Sequence, residues 1–160
     1  MIIKNTKNLI KIKKNSIKEL VSSLSKSNNN MSRYLVHISE KDMIQEMIIA
    51  FSNKTLIPPN RLKDKTQTMN IINGKIRVIV FDNSGKVKEK FIMTPLKKND
   101  KNPFLFRFNK CDWHTMVSLS KHSVVHEVLQ GPFKKIASKI PKWIPREKDK
   151  LKVYLSRFRK

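Results

Sequence analysis

The chain has 160 residues, 39% of them hydrophobic, which is the length and composition of a single globular domain. Its one cysteine, Cys111, excludes an internal disulfide framework, and no apolar run approaches the roughly 18 residues of a membrane-spanning helix. The 35 basic and 12 acidic residues give a net charge of +23, which predicts salt-sensitive attraction to polyanions.

Two interpretations of this charge stay open. Only seven of the 35 basic residues are Arg, the residue suited to bidentate contacts with phosphates and bases. Lys, Ile and Asn are abundant together, a pattern typical of codon bias. A strongly basic chain is also typical of proteins that bind nucleic acid or an anionic surface without specificity.

The first 32 residues predict a basic arm with one short helix over about residues 16–26. Four apolar residues recur at the spacing of one helix face: Ile17, Leu20, Val21 and Leu24. Ser16 and Glu19 have the spacing of a capping box, which satisfies free amides at a helix start. The stripe is short and lacks Trp or Phe, which favours packing on the domain over membrane anchoring. The N-terminus lacks the apolar segment of a secretory signal, so a cytoplasmic protein is expected.

The pattern of residues 33–133, the middle of the chain, predicts a barrel built from short strands. Segments with strand character are residues 43–51, 76–81, 86–93, 104–108, 117–120 and 123–129. The periodicity of residues 43–51 fits a helix as well as a strand. Phe104, Phe106 and Phe108 alternate with other residues, which favours a barrel core over base-stacking platforms. Many short strands with turn residues between them predict an antiparallel barrel or a double-sheet jelly roll.

The last segment, residues 134–160, predicts a basic tail packed on the barrel. It holds eleven basic residues against two acidic ones. Trp143 stands between Pro141 and Pro145, which suggests a segment laid on the barrel surface. The chain is therefore divided into an arm (1–32), a barrel (33–133) and a tail (134–160).

Four separated pieces of the chain resemble the WbuC family of cupin-fold metalloproteins, which are associated with bacterial O-antigen and surface-polysaccharide gene clusters. The pieces are Arg33 with His37; Pro58-Pro59 with the segment that ends at Gly74; residues 81–87; and Trp113-His114-Thr115 followed by Glu127, Gly131-Pro132-Phe133, Trp143 and Pro145. The resemblance spans about residues 33–147 and favours a strand at 43–51. It implies an all-β fold, a small cupin barrel with a short N-terminal helix and basic tails.

The metal motif of that family keeps its spacing here but loses its chemistry. Two His, a Glu and a second-motif His ligate the metal in the family, whereas Asn60, Leu62 and Gln67 replace the first three here and only His114 remains. A catalytic transition-metal site takes at least three protein ligands, mostly imidazole and carboxylate. We therefore predict that the metal is lost and that the chain has no cofactor. Cys111 and His114 could form a new pair of ligands, but a strand-edge Cys beside a pocket His is the simpler interpretation.

Asn60, Gln67 and His114 are predicted to line the barrel mouth as hydrogen-bonding groups, with Lys65 at the rim. Such a mouth suits a sugar or a sugar phosphate. Alternation turns Arg61 away from this site, which predicts a solvated charge. By resemblance, the leading function is an accessory or sugar-binding role in surface-polysaccharide biosynthesis.

Two alternatives stay open. One is a metal-independent sugar-nucleotide isomerase or epimerase that uses His114 as acid or base, for which the sequence shows no positioned partner: Tyr34 and Tyr154 are distant, and Asp112 points to the other face. The other is a basic protein that binds nucleic acid or anionic surfaces without specificity. The resemblance also leaves room for a homodimer paired through sheet edges.

Overall fold

The computed structural model of the chain describes residues 1–97, 100–133 and 138–160. The strands are β1 (Ile2–Lys4), β2 (Met31–Leu35), β3 (Ile44–Ser52), β4 (Arg61–Leu62), β5 (Gln67–Asn73), β6 (Ile76–Phe81), β7 (Val87–Met93), β8 (Leu105–Phe108), β9 (Trp113–Ser118), β10 (His122–Gln130) and β11 (Ser138–Lys139). The helices are α1 (Lys14–Ser22), which a 3₁₀ turn (Ser23–Lys26) extends, and α2 (Lys148–Ser156).

The strands form two facing sheets and one short pair. The large sheet has the order β1-β2-β3-β10-β5-β8, the small sheet has the order β7-β6-β9, and β11 pairs with β4. Among the described residues, every strand pairing is antiparallel except that of β1 with β2. The predicted fold class, a small all-β cupin barrel with a short N-terminal helix, is confirmed.

Alternation along the strands decides which side chains enter the barrel. In β3, Ile49 and Phe51 join the core between the sheets, whereas Ile48 and Ala50 face outward. In β6 the inward residues, such as Val78, meet the same core from the small sheet. A pleated strand therefore contributes one face to the interior and one to whatever covers the sheet.

Helix α1 covers the outward face of the large sheet. Leu20 and Leu24 pack against Ile48, Ala50 and Val124. The predicted helix is present, but it begins at Lys14, and the Lys13 N-cap makes no side-chain cap hydrogen bond. The capping-box prediction is therefore wrong: Ser16 already lies inside the helix, where its side chain cannot cap the helix start.

Helix α2 covers the outward face of the small sheet and was missed by the sequence analysis. Leu151, Tyr154, Leu155 and Phe158 have the i, i+3, i+4, i+7 spacing that could have revealed it. These residues pack against outward side chains of β6 and β9, among them Phe81 and Val117. The division into arm, barrel and tail stays a prediction, since residue 134, the proposed start of the tail, lies outside the described residues.

Two strand predictions need correction. Strand β9 begins at Trp113 rather than at residue 117, because it pairs with β6 along its whole length and Asn60 bridges to His114. Phe104 precedes β8 and is 39% exposed, so only Phe106 and Phe108 pack against the core. Within the described residues, no helix is long and apolar enough to cross a membrane.

Candidate functional site

A cavity of about 520 Å³ lies between the two sheets. Its polar lining includes residues from both sheets and from the segment before β4: Arg33, Asn60, Gln67, His114 and Glu127. Much of the remaining wall is apolar, with Met47, Ile49, Phe51 and Met116 among its residues. The cavity therefore combines a few polar groups with an extended apolar surface, as ligand pockets generally do.

Gln67 and Glu127 form the central polar contact of this cavity. Glu127 on β10 lies opposite Met69 on β5, and Gln67 lies opposite Leu129. Gln67 and Glu127 are therefore diagonal neighbours on one face of the sheet. The Gln67 Nε2 donates to Glu127 Oε1 at 2.5 Å, and the Gln67 Oε1 accepts from the Cys111 thiol at 3.4 Å. These two bonds fix the orientation of the Gln67 amide.

The Glu127 carboxyl is held in an environment that disfavours its charge. Burial raises the pKa of Glu127, and the hydrogen bond from Gln67 and the charge of Arg33 oppose that rise. Glu127 is half-buried, and it lines the cavity. The carboxyl is therefore predisposed to stay protonated at a higher pH than an exposed glutamate.

His114 offers a basic nitrogen to the same cavity. The side chain is 3% exposed, and its Nδ1 lies 2.9 Å from the Asp112 carbonyl oxygen. Because a carbonyl only accepts, Nδ1 carries the proton and Nε2 keeps its lone pair. Burial lowers the pKa of His114, which favours the neutral ring. His114 can therefore accept a hydrogen bond or a proton at Nε2.

The side chains at the family's four ligand positions do not fit a transition metal. Leu62 is buried and packs against Cys111 and Leu129, so that position offers no donor atom. Both polar atoms of the Gln67 amide are already hydrogen-bonded. In the described part of the chain, no three His, Cys, Asp or Glu side chains come together as a metal site. One imidazole with neutral amides is a poor transition-metal site, although loss of the metal itself stays a prediction.

Cys111 does not supply the missing ligand chemistry. The side chain is 4% exposed, and burial raises its pKa to about 12. Metals and electrophiles react with the thiolate, which is scarce at neutral pH for such a group. This environment supports the interpretation of Cys111 as a packed residue beside a pocket histidine.

Lys65 and Arg61 have contacts that the sequence analysis did not foresee. The Lys65 ammonium donates to the carbonyl oxygens of Gly131 and Pro132, at 3.0 and 2.9 Å, at the end of β10. The predicted role of Lys65 in ligand binding stays a prediction. Arg61 does not line the cavity, in keeping with the predicted alternation; its guanidinium is half-buried, lies 4.5 Å from the Trp113 ring centroid and donates to Asn83 in an exposed hydrogen bond.

The cavity also includes residues that the sequence marked only through the resemblance. Arg33, His37 and Glu127 belong to its matching pieces, and all three line the cavity. No local pattern could identify them as neighbours of His114, because they come from distant parts of the chain. Alternation did predict that Glu127 faces away from His126, whose Nε2 lies 2.8 Å from Glu46 Oε1.

Most of the basic side chains in the described part of the chain form no ion pair. In the described ranges, Lys88 and Lys150 are the lysines that form ion pairs, with Asp112 and Glu147. A second cleft lies outside the barrel, and four lysines line it: Lys4, Lys7, Lys11 and Lys13. Polyanion binding stays a prediction.

We expect Glu127→Gln to stabilise the folded protein near pH 8 by roughly 1 to 3 kcal/mol, the usual cost of an imperfectly compensated buried polar group. Because the folded pKa of Glu127 is raised, the stability that this carboxyl contributes is present below its unfolded-state pKa and is lost as the pH rises through the folded value. Gln has the same shape and keeps an acceptor for Gln67. Urea unfolding at several pH values measures the difference.

The difference should disappear below about pH 4, where both variants are uncharged at this position. Glu89→Gln is the matched control, because Glu89 is exposed on β7. A Glu127→Gln variant as stable as wild type at every pH would contradict the raised pKa of Glu127.

The two sheets, the apolar cavity and the polar groups on its walls define a cupin-fold protein with a small-molecule-sized interior pocket. The chain belongs to the family described as "Domain of unknown function (DUF6016)", whose model matches residues 12–93. The match covers the chain from just before α1 to the end of β7 and includes Arg33, Asn60 and Gln67. A comparison with curated proteins found no match.

Several solved structures are similar to this chain. Protein SO0799 from Shewanella oneidensis is 10% identical with a TM-score of 0.56, over 68% of this chain and 72% of that one. KdgF from Halomonas sp. is 15% identical with a TM-score of 0.50, over 69% and 86%. CapF, bound to the inhibitor 3-isopropenyl-tropolone, is 11% identical with a TM-score of 0.53, over 69% of this chain and 31% of CapF. At these identities the likeness shows the fold alone.

Proposed function

We propose that this chain binds a small, hydroxyl-rich ligand in the barrel cavity. The observation that carries the proposal is the convergence of Gln67, His114 and Glu127 on one cavity from three strands of two sheets. In keeping with the resemblance to the WbuC family, the ligand is a sugar or a sugar phosphate. The role is then that of an accessory or sugar-binding protein in bacterial surface-polysaccharide biosynthesis, in the cytoplasm.

The donors and acceptors on the cavity walls can bind a ligand that carries several neighbouring hydroxyl groups. Nε2 of His114 accepts a hydrogen bond, because Nδ1 carries the proton. A protonated Glu127 carboxyl both donates and accepts, and its position is fixed by Gln67. A hydroxyl also both donates and accepts, so a ligand with several hydroxyls can satisfy both walls at once. Asn60 adds an amide to the same lining.

Isothermal titration with a panel of hexoses, hexose phosphates and phenyl glycosides tests this proposal. We expect saturable binding that His114→Ala weakens at least about tenfold, since the loss leaves buried polar ligand groups unpaired. His126→Ala is the matched control, because His126 pairs with Glu46 outside the cavity, and it should change the affinity less than about twofold. Circular dichroism verifies that both variants are folded.

Binding that is equally strong in His114→Ala would place the ligand elsewhere. The absence of saturable binding across the panel would reject the proposed function. Binding that both histidine variants weaken alike would point to a general loss of stability rather than to a ligand contact.

A second candidate is a metal-independent isomerase or epimerase acting on a sugar nucleotide. The observation in its favour is that the cavity holds a neutral His114, suited to accept a proton, and a Glu127 whose pKa is raised, suited to donate one. The ring would take a proton from the carbon beside a carbonyl while the carboxyl protonates the carbonyl oxygen, which gives an enol. The imidazolium would then return its proton to carbon while the carboxylate takes back the proton on oxygen, so that both groups regain their starting protonation. Deuterium uptake from D2O by the ligand, abolished in His114→Ala, would replace the binding role with this one.

A further inference from the structure

Arg33 is a cation on the cavity wall. It lies on the same face of β2 as Met31 and Leu35, and all three residues line the cavity. Its guanidinium takes part in no hydrogen bond or ion pair among residues 1–97, 100–133 and 138–160. The guanidinium of this half-buried residue carries five donors that no protein acceptor occupies, and none of its nitrogens is among the fully buried unpaired atoms of the described residues.

The carboxylates of the cavity do not neutralise Arg33. Glu127 and Glu40 also line the cavity, but neither reaches ion-pair distance of Arg33 within the described residues. Glu127 instead bonds to Gln67, and its burial favours the uncharged form. The guanidinium is therefore available to an anion that enters the cavity.

The cation that the sequence analysis placed at the rim cannot easily take this role. The Lys65 ammonium uses two of its three protons on the carbonyl oxygens of Gly131 and Pro132. Releasing it would free two carbonyl groups at the end of β10. Arg33 needs no such rearrangement, and its planar fork matches a carboxylate or a phosphate.

The wall next to Arg33 is apolar. Ile49 lies directly opposite Arg33 on the neighbouring strand β3, Met47 and Phe51 lie on the same face of that strand, and Met116 of the small sheet also lines the cavity. A ligand that fills this space gains by covering these side chains with apolar atoms rather than with water. The cavity thus suits a ligand with a charged end and a less polar body.

We propose that the cavity selects anionic ligands, with Arg33 holding a carboxylate or phosphate group and the apolar wall contacting the uncharged body. Because it uses the same cavity, this inference rests on the proposed function. It makes Arg33 a specificity-determining residue, and it narrows the ligand class to acidic or phosphorylated molecules with an apolar part.

The sharpest test compares phenyl β-D-glucuronide with phenyl β-D-glucoside. The two share a ring and an aglycone, and they differ only in a carboxylate that replaces a hydroxymethyl group. Isothermal titration of the wild-type protein should give at least about tenfold tighter binding of the glucuronide, the usual scale of a charge-assisted bond in a cavity. In Arg33→Gln that preference should fall below about twofold.

Arg107→Gln is the control for net charge, because Arg107 is exposed on β8 and the variant loses the same single charge. It should keep the full preference for the glucuronide. Glucose 1-phosphate against glucose extends the comparison to phosphate. If only the carboxylate pair shows a preference that depends on Arg33, the anion is a carboxylate, and if only the phosphate pair does, it is a phosphate.

The outcomes separate the two proposals. If the wild-type protein binds the charged and the neutral ligand of each pair equally well, the anion inference is overturned, although a ligand-binding cavity remains. The same holds if the preference for the charged ligand persists in Arg33→Gln. An equal loss of preference in Arg107→Gln would also overturn it, since total charge would then explain the result. If none of these ligands binds, both the proposed function and the anion inference are overturned.

Discussion

Replacing Gly131 with Ala is expected to lower the free energy of unfolding by more than about 3 kcal/mol. A Cβ at this position would lie 1.9 Å from the Asp42 carbonyl oxygen and 3.0 Å from the Met43 carbonyl carbon. Both atoms belong to the backbone, so no side-chain rotation relieves the overlap. The Gly131 amide also donates to the Met43 carbonyl at 2.7 Å, and that close approach would be lost.

The turn that Gly131 contacts is itself held in place. The Asp42 carbonyl accepts a hydrogen bond from Gln45 Nε2 at 2.8 Å, and Gln45 is 2% exposed on the cavity wall. Moving the turn away from a new Cβ would therefore disturb a buried polar group. The substitution should also disturb the cavity, because Phe133, which lines it, lies only two residues further along the chain.

Equilibrium urea unfolding, followed by tryptophan fluorescence, measures this effect. Lys121→Ala, in the exposed turn between β9 and β10, is the control and should stay within about 0.5 kcal/mol of wild type. If the free energy of unfolding of Gly131→Ala lies within about 1 kcal/mol of the wild-type value, the segment at Gly131 and the turn at Asp42 and Met43 can move apart at little cost.

Replacing Leu155 with Ala is expected to lower the free energy of unfolding by about 2 to 5 kcal/mol. Leu155 is fully buried between α2 and the small sheet, in a cluster with Ile79, Phe81 and Val117. Removing three carbons there loses apolar burial and leaves a cavity that the surrounding rings cannot fill completely.

Val153→Ala is the control for this prediction, because Val153 lies on the same helix and is 68% exposed. It should change the stability by less than about 0.5 kcal/mol. Thermal or urea unfolding measures both variants. If Leu155→Ala and Val153→Ala lower the free energy of unfolding by the same amount, α2 contributes to stability through helix formation alone and not through its contact with the sheet.

The strands and turns could be predicted because their signals are local. Alternation marks a strand within a few residues, and Asp82 to Gly85 forms the turn between β6 and β7 that its residue types favour, with Gly85 at a φ of 91°. The boundaries of β9 were harder to predict, because its first residues owe their strand conformation to pairing with β6 and Asn60.

The candidate site could be predicted only in part. Gln67, His114 and Asn60 were recognised through a motif frame, and all three line the cavity. The contact between Gln67 and Glu127 joins residues 60 positions apart, and no periodicity in the sequence carries that pairing. The hydrogen bonds from Lys65 to the carbonyl oxygens of Gly131 and Pro132 could not be predicted either, because these residues lie 66 and 67 positions further along the chain.

The sequence by itself determined the all-β class, the strand faces and the strong positive charge, because patterning, turn chemistry and composition belong to neighbouring residues. Only the tertiary structure decided what the barrel encloses. Arg33, Gln67, Glu127 and His114 come from four strands of two sheets, and the order and register of those strands bring their side chains to one cavity. Burial in that cavity then raises the pKa of Glu127 and lowers the pKa of His114, and Arg33 lines the same cavity.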